Sequence, residues 1–396
     1  MARLEGVNIE KLQGGLQRLA EGTDNHLAYA LDLPAGEVKT AVNNSGKGVV
    51  LTSVFDAEQL GINESYDANN SLKLYDQIVE FFRLAPEATL YLFDKITKAD
   101  LKTFINHNKE IKGYGINFEF VAADGETPSN LVATINEHQL IINEFAAENR
   151  FIDFAILGAD GMDDFTEDLF ELEAPNVSVC VACEDDSGIV SIGSALGSIA
   201  VRKVSESLGS VDIENKPRAK RGSADYTLTD SLLGRWQTAY LSDGTEVESL
   251  NKSVLNSIKG KGYITVAGYE GYAGYFFENS HTCVERTSDY AYIENNRVWN
   301  KAVRIIRATL LPRVKSKVKK NPTTGFIAST TVSYWQTLLE KALSQLIIED
   351  DISGFEVYIN PNQVVNDSTP VKVKVSIVAD GIVHEFEVAV GLTNNI

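Results

Sequence analysis

The sequence predicts an α/β protein built from more than one domain, and three observations predict it. Between Gly48 and Ala182 short apolar runs alternate with amphipathic ones, the pattern of a largely parallel sheet with helices on both faces. Near Gly260 that alternation stops and a different composition begins. At 396 residues the chain is also too long for one small core. The divisions expected are an arm over 1–25, an α/β domain over 26–259 and a C-terminal domain over 260–396.

The elements follow in order. Residues 1–25 hold Val7 and Ile9 in alternation, then Gly14-Gly15 and a Gly-Thr-Asp-Asn turn, which reads as a short strand on a flexible arm. Strands are expected at 49–52, 88–93, 116–122, 151–157 and 177–182. Helices are expected at 56–60, 72–84, 98–108 and 128–149, where apolar residues recur at helical spacing. A small-residue helix should span 188–208, a polar loop 212–226, and helical periodicity returns over 228–240 and 246–258. Residues 263–266 read as a further strand.

The last third has the most unusual composition. Nine Lys or Arg and no Asp or Glu lie between Arg297 and Lys320, which leaves −28 for the rest of a chain whose net charge is −19. Val298, Trp299, Ala302, Val303, Ile305, Ile306, Thr309 and Leu310 make a broad apolar helical face, with Arg297, Lys301, Arg304 and Arg307 on the remainder. Pro312 ends that helix. A second helix is expected over 330–346 and a strand over 355–359. The chain then reads VKVKVSIVADGIVHEFEVAV from Val371 to Val390. Two-sided alternation broken by Asp380-Gly381 predicts a β-hairpin, with Val375 facing Phe386, Val373 facing Val388 and Lys374 facing Glu387. Its outer edge would be open at the chain's end, and an open edge must be blunted or used for pairing.

Charge and motifs exclude several roles. A net charge of −19 opposes general affinity for nucleic acid or anionic membranes. No basic, apolar leader opens the chain and no apolar run nears bilayer length, so neither export by such a signal nor membrane insertion is expected. Cys180 and Cys183 match C-x-x-C, but they follow a strand and precede three acids, which disfavours a thiolate; with Cys283 they make no disulfide framework. Gly193 to Gly197 lacks the spacing of a phosphate loop and reads as close helix packing. His26, His107, His138, His281 and His384 are scattered singly. Asp160, Asp163 and Asp164 follow a strand where α/β folds carry sites and could hold Mg²⁺ through oxygen; a solvated loop explains them as well. No cofactor is expected. The basic stretch fits a nucleic-acid backbone poorly, with no aromatic platform beside it, and fits an acidic protein partner better.

Taken in order, these features resemble the tail sheath proteins of contractile phage tails and related contractile injection systems. The resemblance rests on the first 20 residues and on ITVAGYEGYAGYFF, RVWNKAVRIIRATL, TVSYWQTLLEKALSQL, FEVYINPN and the terminal β unit. It implies an assembly domain made from both chain ends, with the α/β domain inserted and facing outward. It implies a non-enzymatic subunit that stacks in hexameric rings as a helical tube and contracts, in a virion or phage-like tail made in a bacterial cytoplasm. The partners implied are further copies, an inner tail tube protein, and baseplate and tail-terminator proteins. Val7 and Ile9 would be the donated strand, Phe386, Val388 and Val390 its counterpart, and Arg297, Lys301, Arg304 and Arg307 the tube-facing cations. The runner-up is a Mg-dependent enzyme using Asp160, Asp163 and Asp164.

Overall fold

The computed structural model describes residues 23–94, 97–123, 127–211, 228–366, 369–384 and 386–388. Val7, Ile9 and Val390 therefore lie outside the described residues. The expected alternation is present, and its centre is a strand the sequence reading passed over. β1 (His26–Leu31) is buried throughout and is followed by α1 (Glu37–Asn43), β2 (Val49–Leu51), α2 (Val54–Gln59), α3 (Glu64–Asn70) and α4 (Leu74–Leu84). Next come β3 (Thr89–Asp94), α5 (Lys98–His107), β4 (Gly113–Glu119), α6 (Leu131–Ala147), β5 (Phe154–Asp160) and β6 (Val177–Cys180). These strands form one sheet in the order β2-β3-β1-β4-β5-β6. β3, β1, β4, β5 and β6 are parallel; β2 runs antiparallel on β3 as an edge. Because β1 is flanked by β3 on one side and β4 on the other, the chain winds outward both ways, as doubly wound sheets do.

Helices cover both faces. On one face His138 of α6 meets the Tyr114 hydroxyl at 3.1 Å, and Phe104 of α5 stacks on Phe93 with ring centroids 4.4 Å apart. β7 (Ala182–Cys183) leads to α7 (Ile192–Val201), which lies on the other face beside α4. Gly115 and Gly158 admit α7 there, since a Cβ on either would sit under 3.0 Å from Ile192. Gly193 is tighter still: a Cβ would stand 2.1 Å from the Gln77 carbonyl oxygen of α4. The Gln77 side chain bridges the pair, accepting from the Gly193 N–H at 2.5 Å and donating to the Val190 carbonyl at 3.0 Å. The Gly193–Gly197 segment is thus helix packing, as its spacing suggested.

Residues 228–239 do not continue as a helix. They form a turn closed by Asp230 and Arg235, with Arg235 in ion pairs to Asp76, Glu80 and Glu184. Asp76 and Glu80 of α4 together with Glu184 after β7 hold that arginine, and this tertiary pull overrides the local helical pattern. β8 (Tyr240–Leu241) and α8 (Lys252–Gly260) follow, and the expected strand at 263–266 is replaced by a hairpin of β9 (Val266–Tyr269) and β10 (Tyr272–Phe277).

α9 (Ile293–Leu310) and α10 (Ser329–Ile348) form the expected helical pair, followed by β11 (Gly354–Ile359) and β12 (Val373–Val378). β9 and β10 pack into the large apolar core with Tyr263, Ile264 and Cys283. The second core gathers Val298, Ala302, Leu339, Leu343, Leu346, Val357 and Ile359. The two cores meet at α9, not near Gly260.

The terminal hairpin expected across Asp380-Gly381 is absent among the described residues. β12 pairs with β11 instead, Val375 opposite Val357 and Ile377 opposite Phe355. That register sets β12's half-buried valines beside a strand already packed on α10, whereas a lone two-stranded hairpin is marginal in water. After β12 the chain turns aside: Ser353 Oγ donates to Asp380 at 2.5 Å, and the His384 ring stacks on Tyr292 at 5.3 Å.

Candidate assembly surfaces

α9 ties three parts of the molecule together through the cations the sequence singled out. Lys301 Nζ lies 2.8 Å from Asp24, 2.9 Å from Glu349 and 2.7 Å from Asp351. Arg304 lies 2.7 Å from Asp153, which precedes β5, and 3.9 Å from Asp24. Arg297 is buried, and its guanidinium donates to the Lys203 carbonyl at 3.2 Å. Burial works to raise the Asp24 carboxyl, and Lys301 outweighs it, so Asp24 sits below its ordinary value. Burial likewise opposes the charge on Lys301, and Asp24 and Asp351 raise it regardless. Arg297, Lys301 and Arg304 are therefore taken up inside the chain. This corrects their placement on a free basic face; of the four, Arg307 alone is exposed. The reason is their partners: the acids that neutralise them lie far off in sequence, at Asp24, Asp153 and residues 349–351. Asp24 lies in the turn just before β1, so the cluster ties α9 to the start of the large sheet.

The exposed cations lie further on. Between α9 and α10, Lys315, Lys317, Lys319 and Lys320 all face solvent, and none makes an ion pair with another described residue.

The second surface is the β11–β12 ribbon and the segment after it. α10 covers one face, and its Gln336 donates to the Val357 carbonyl of β11 at 2.8 Å. Gln363 extends the ribbon by a side-chain rung, accepting from Lys372 N–H at 2.7 Å and donating to Lys372 O at 3.0 Å. β12 borders no other described strand, so its outer edge offers unpaired N–H and C=O groups. Beyond it, Phe386 is 82% and Val388 74% exposed. Apolar side chains held in solvent on a segment that pairs with no described strand suit a surface that a partner covers.

The sites weighed for chemistry do not assemble. Asp160 closes β5 and accepts from Asn117 at 2.7 Å and from the Val190 N–H at 2.8 Å. Burial pushes its carboxyl up to about 7. Asp163 is exposed, and Asp164 accepts from the Thr166 N–H at 3.0 Å. Among the described residues no three His, Cys, Asp or Glu side chains come together as metal ligands. Cys180, Cys183 and Cys283 are buried free thiols, and burial pushes Cys180 up to about 12, far from a reactive thiolate. No described helix is long and apolar enough to cross a membrane.

A chain in the cryo-electron microscopy structure of the anti-feeding prophage baseplate, six-fold symmetrised, aligns over 100% of both chains with 14% identity and a TM-score of 0.56. A chain of the same baseplate in its contracted state aligns over 99% of each, with 10% identity and a TM-score of 0.53. The crystal structure of the sheath tail protein of Desulfitobacterium hafniense aligns over 94% of this chain and 100% of its own, at 11% identity and a TM-score of 0.47. The first two share the fold of this chain. No curated protein matches the chain by sequence. The family model described as DUF2586, N-terminal domain, matches residues 4–281, and DUF2586, C-terminal domain, matches 289–396; their junction falls just before α9, and the chain belongs to the DUF2586 family.

Proposed function

We propose that the chain is a structural subunit of a contractile, phage-tail-like particle. In this reading it polymerises as stacked six-membered rings around an inner tube, and the rings contract to drive that tube through a target envelope. The observation that carries the reading is the fold shared from end to end with a chain of a baseplate that has a contracted state. The exposed apolar segment at 382–388 supports it, because a strand added to the free edge of a neighbouring copy would cover Phe386 and Val388 by β-augmentation. Val7, Ile9 and Val390 retain the strand-exchange role in this reading. The tube contact expected of α9 rests on Arg307, the member of its basic set that stays exposed. The role is mechanical, with no turnover. Baseplate and tail-terminator proteins bound the stack, and the particle is put together in a bacterial cytoplasm.

Negative-stain microscopy of the purified full chain tests this. Tubes or rings are the expected outcome; a protein that stays monomeric at every concentration and salt sinks the reading.

A further inference from the structure

We propose that two complementary surfaces at opposite ends of α9 dock copies of this chain head to tail, the basic loop of one copy entering a tyrosine-lined groove on the next. The groove, of about 690 Å³, lies between the β9–β10 hairpin and the segment leading into α8. Leu250 and Leu255 supply apolar lining, and Glu248 and Glu270 stand exposed against Lys252. Tyr269 is 44% and Tyr272 38% exposed. Carboxylates beside open tyrosine rings suit ammonium and guanidinium groups, through ion pairs and cation–π contacts together.

The loop over 311–320 is its counterpart. It carries Lys315, Lys317, Lys319 and Lys320 in solvent, and exposed Leu311 and Val314 between the charges. Charge therefore matches carboxylate, and apolar side chains match the groove lining. None of the loop's residues lines the groove of its own chain. The start of α9 is fixed beside the end of β10, where the Ile293 N–H donates to the Ser280 carbonyl at 3.0 Å, while the loop begins at the helix's far end. An 18-residue helix spans about 27 Å. A surface and a separate complement carried by one chain make a heterologous contact, which repeats from copy to copy as a ring or a helical stack.

The inference requires self-association, which the proposed function also requires, so the test separates the two. One full-length variant carries Glu248→Lys and Glu270→Lys; a second carries Lys315→Glu, Lys317→Glu and Lys319→Glu. Glu248 accepts from the Tyr275 hydroxyl at 2.6 Å, so Glu270→Lys alone is run beside the first. Association is read by sedimentation at low salt, where such charges are least screened. Each multiple variant alone should raise the concentration needed for assembly about tenfold or more, Glu270→Lys alone by less, and an equimolar mixture of the two multiple variants should recover assembly. If either multiple variant assembles like the unaltered chain, or the mixture stays apart, the docking inference is overturned while the proposed function stands. An unaltered chain that never assembles overturns both.

Discussion

A lysine ammonium within 3 Å of three carboxylates, as Lys301 is with Asp24, Glu349 and Asp351, leaves uncompensated acids behind when it is removed. Lys301→Met should therefore destabilise the monomer by about 2 kcal/mol, below the full cost of breaking a buried pair because the cluster is partly wet. Urea unfolding at pH 7 measures it. The Asp24 carboxyl lies below its ordinary value, so its share of stability is present above the usual carboxylate range and is lost as pH falls through the lowered value. Asp160 behaves oppositely. With its carboxyl raised to about 7, the fold binds a proton there that the unfolded chain has released, and stability falls as pH rises from about 4 to about 7. Asp160→Asn keeps the oxygen that accepts from Asn117 and Val190, so it should gain about 1 kcal/mol at pH 8 and flatten that slope; an unchanged pH profile would refute this. Both roles were hidden in the sequence, which shows cations in a row but not the acids that fold onto them.

At the scale of elements, what sequence showed well was whatever its own neighbours determine. α4, α5, α6, α9 and α10 have helical periodicity and sit where it placed them, within a few residues. β1 was missed because HLAYAL, buried on both faces, has no alternation to read and its alanines and leucines favour helix. The terminal hairpin failed for the converse reason: its local signal is strong, but β11 offers β12 a better-supported partner. The Gly193 contact gives a sharp test. Gly193→Ala puts a methyl group into the α4 backbone and should cost about 2–4 kcal/mol by thermal or urea unfolding, whereas a phosphate-loop glycine would affect ligand binding more than stability. Phe386→Asp with Val388→Asp should change monomer stability by less than about 0.5 kcal/mol, since both side chains already face water, yet abolish assembly in sedimentation. Normal tube formation by that double variant would remove residues 386–388 from the subunit contact.

For the whole molecule, element order was the legible feature, and it was enough to point to the right fold; the meeting place of the two cores was not, since a helix shared by both shows no break in composition. Removing residues 1–20 should leave a folded monomer whose unfolding midpoint is unaltered, while assembly is lost; tubes of normal diameter from that truncation would count against the arm. α9 has a mechanical consequence of its own. Its first half is bolted to the large sheet's loops, through Asn296 to Pro175 and Asn300 to Ile152, and its second half carries α10 and the ribbon. No swivel separates the halves, so a tug on the ribbon must tip the entire body like a crank about its axle.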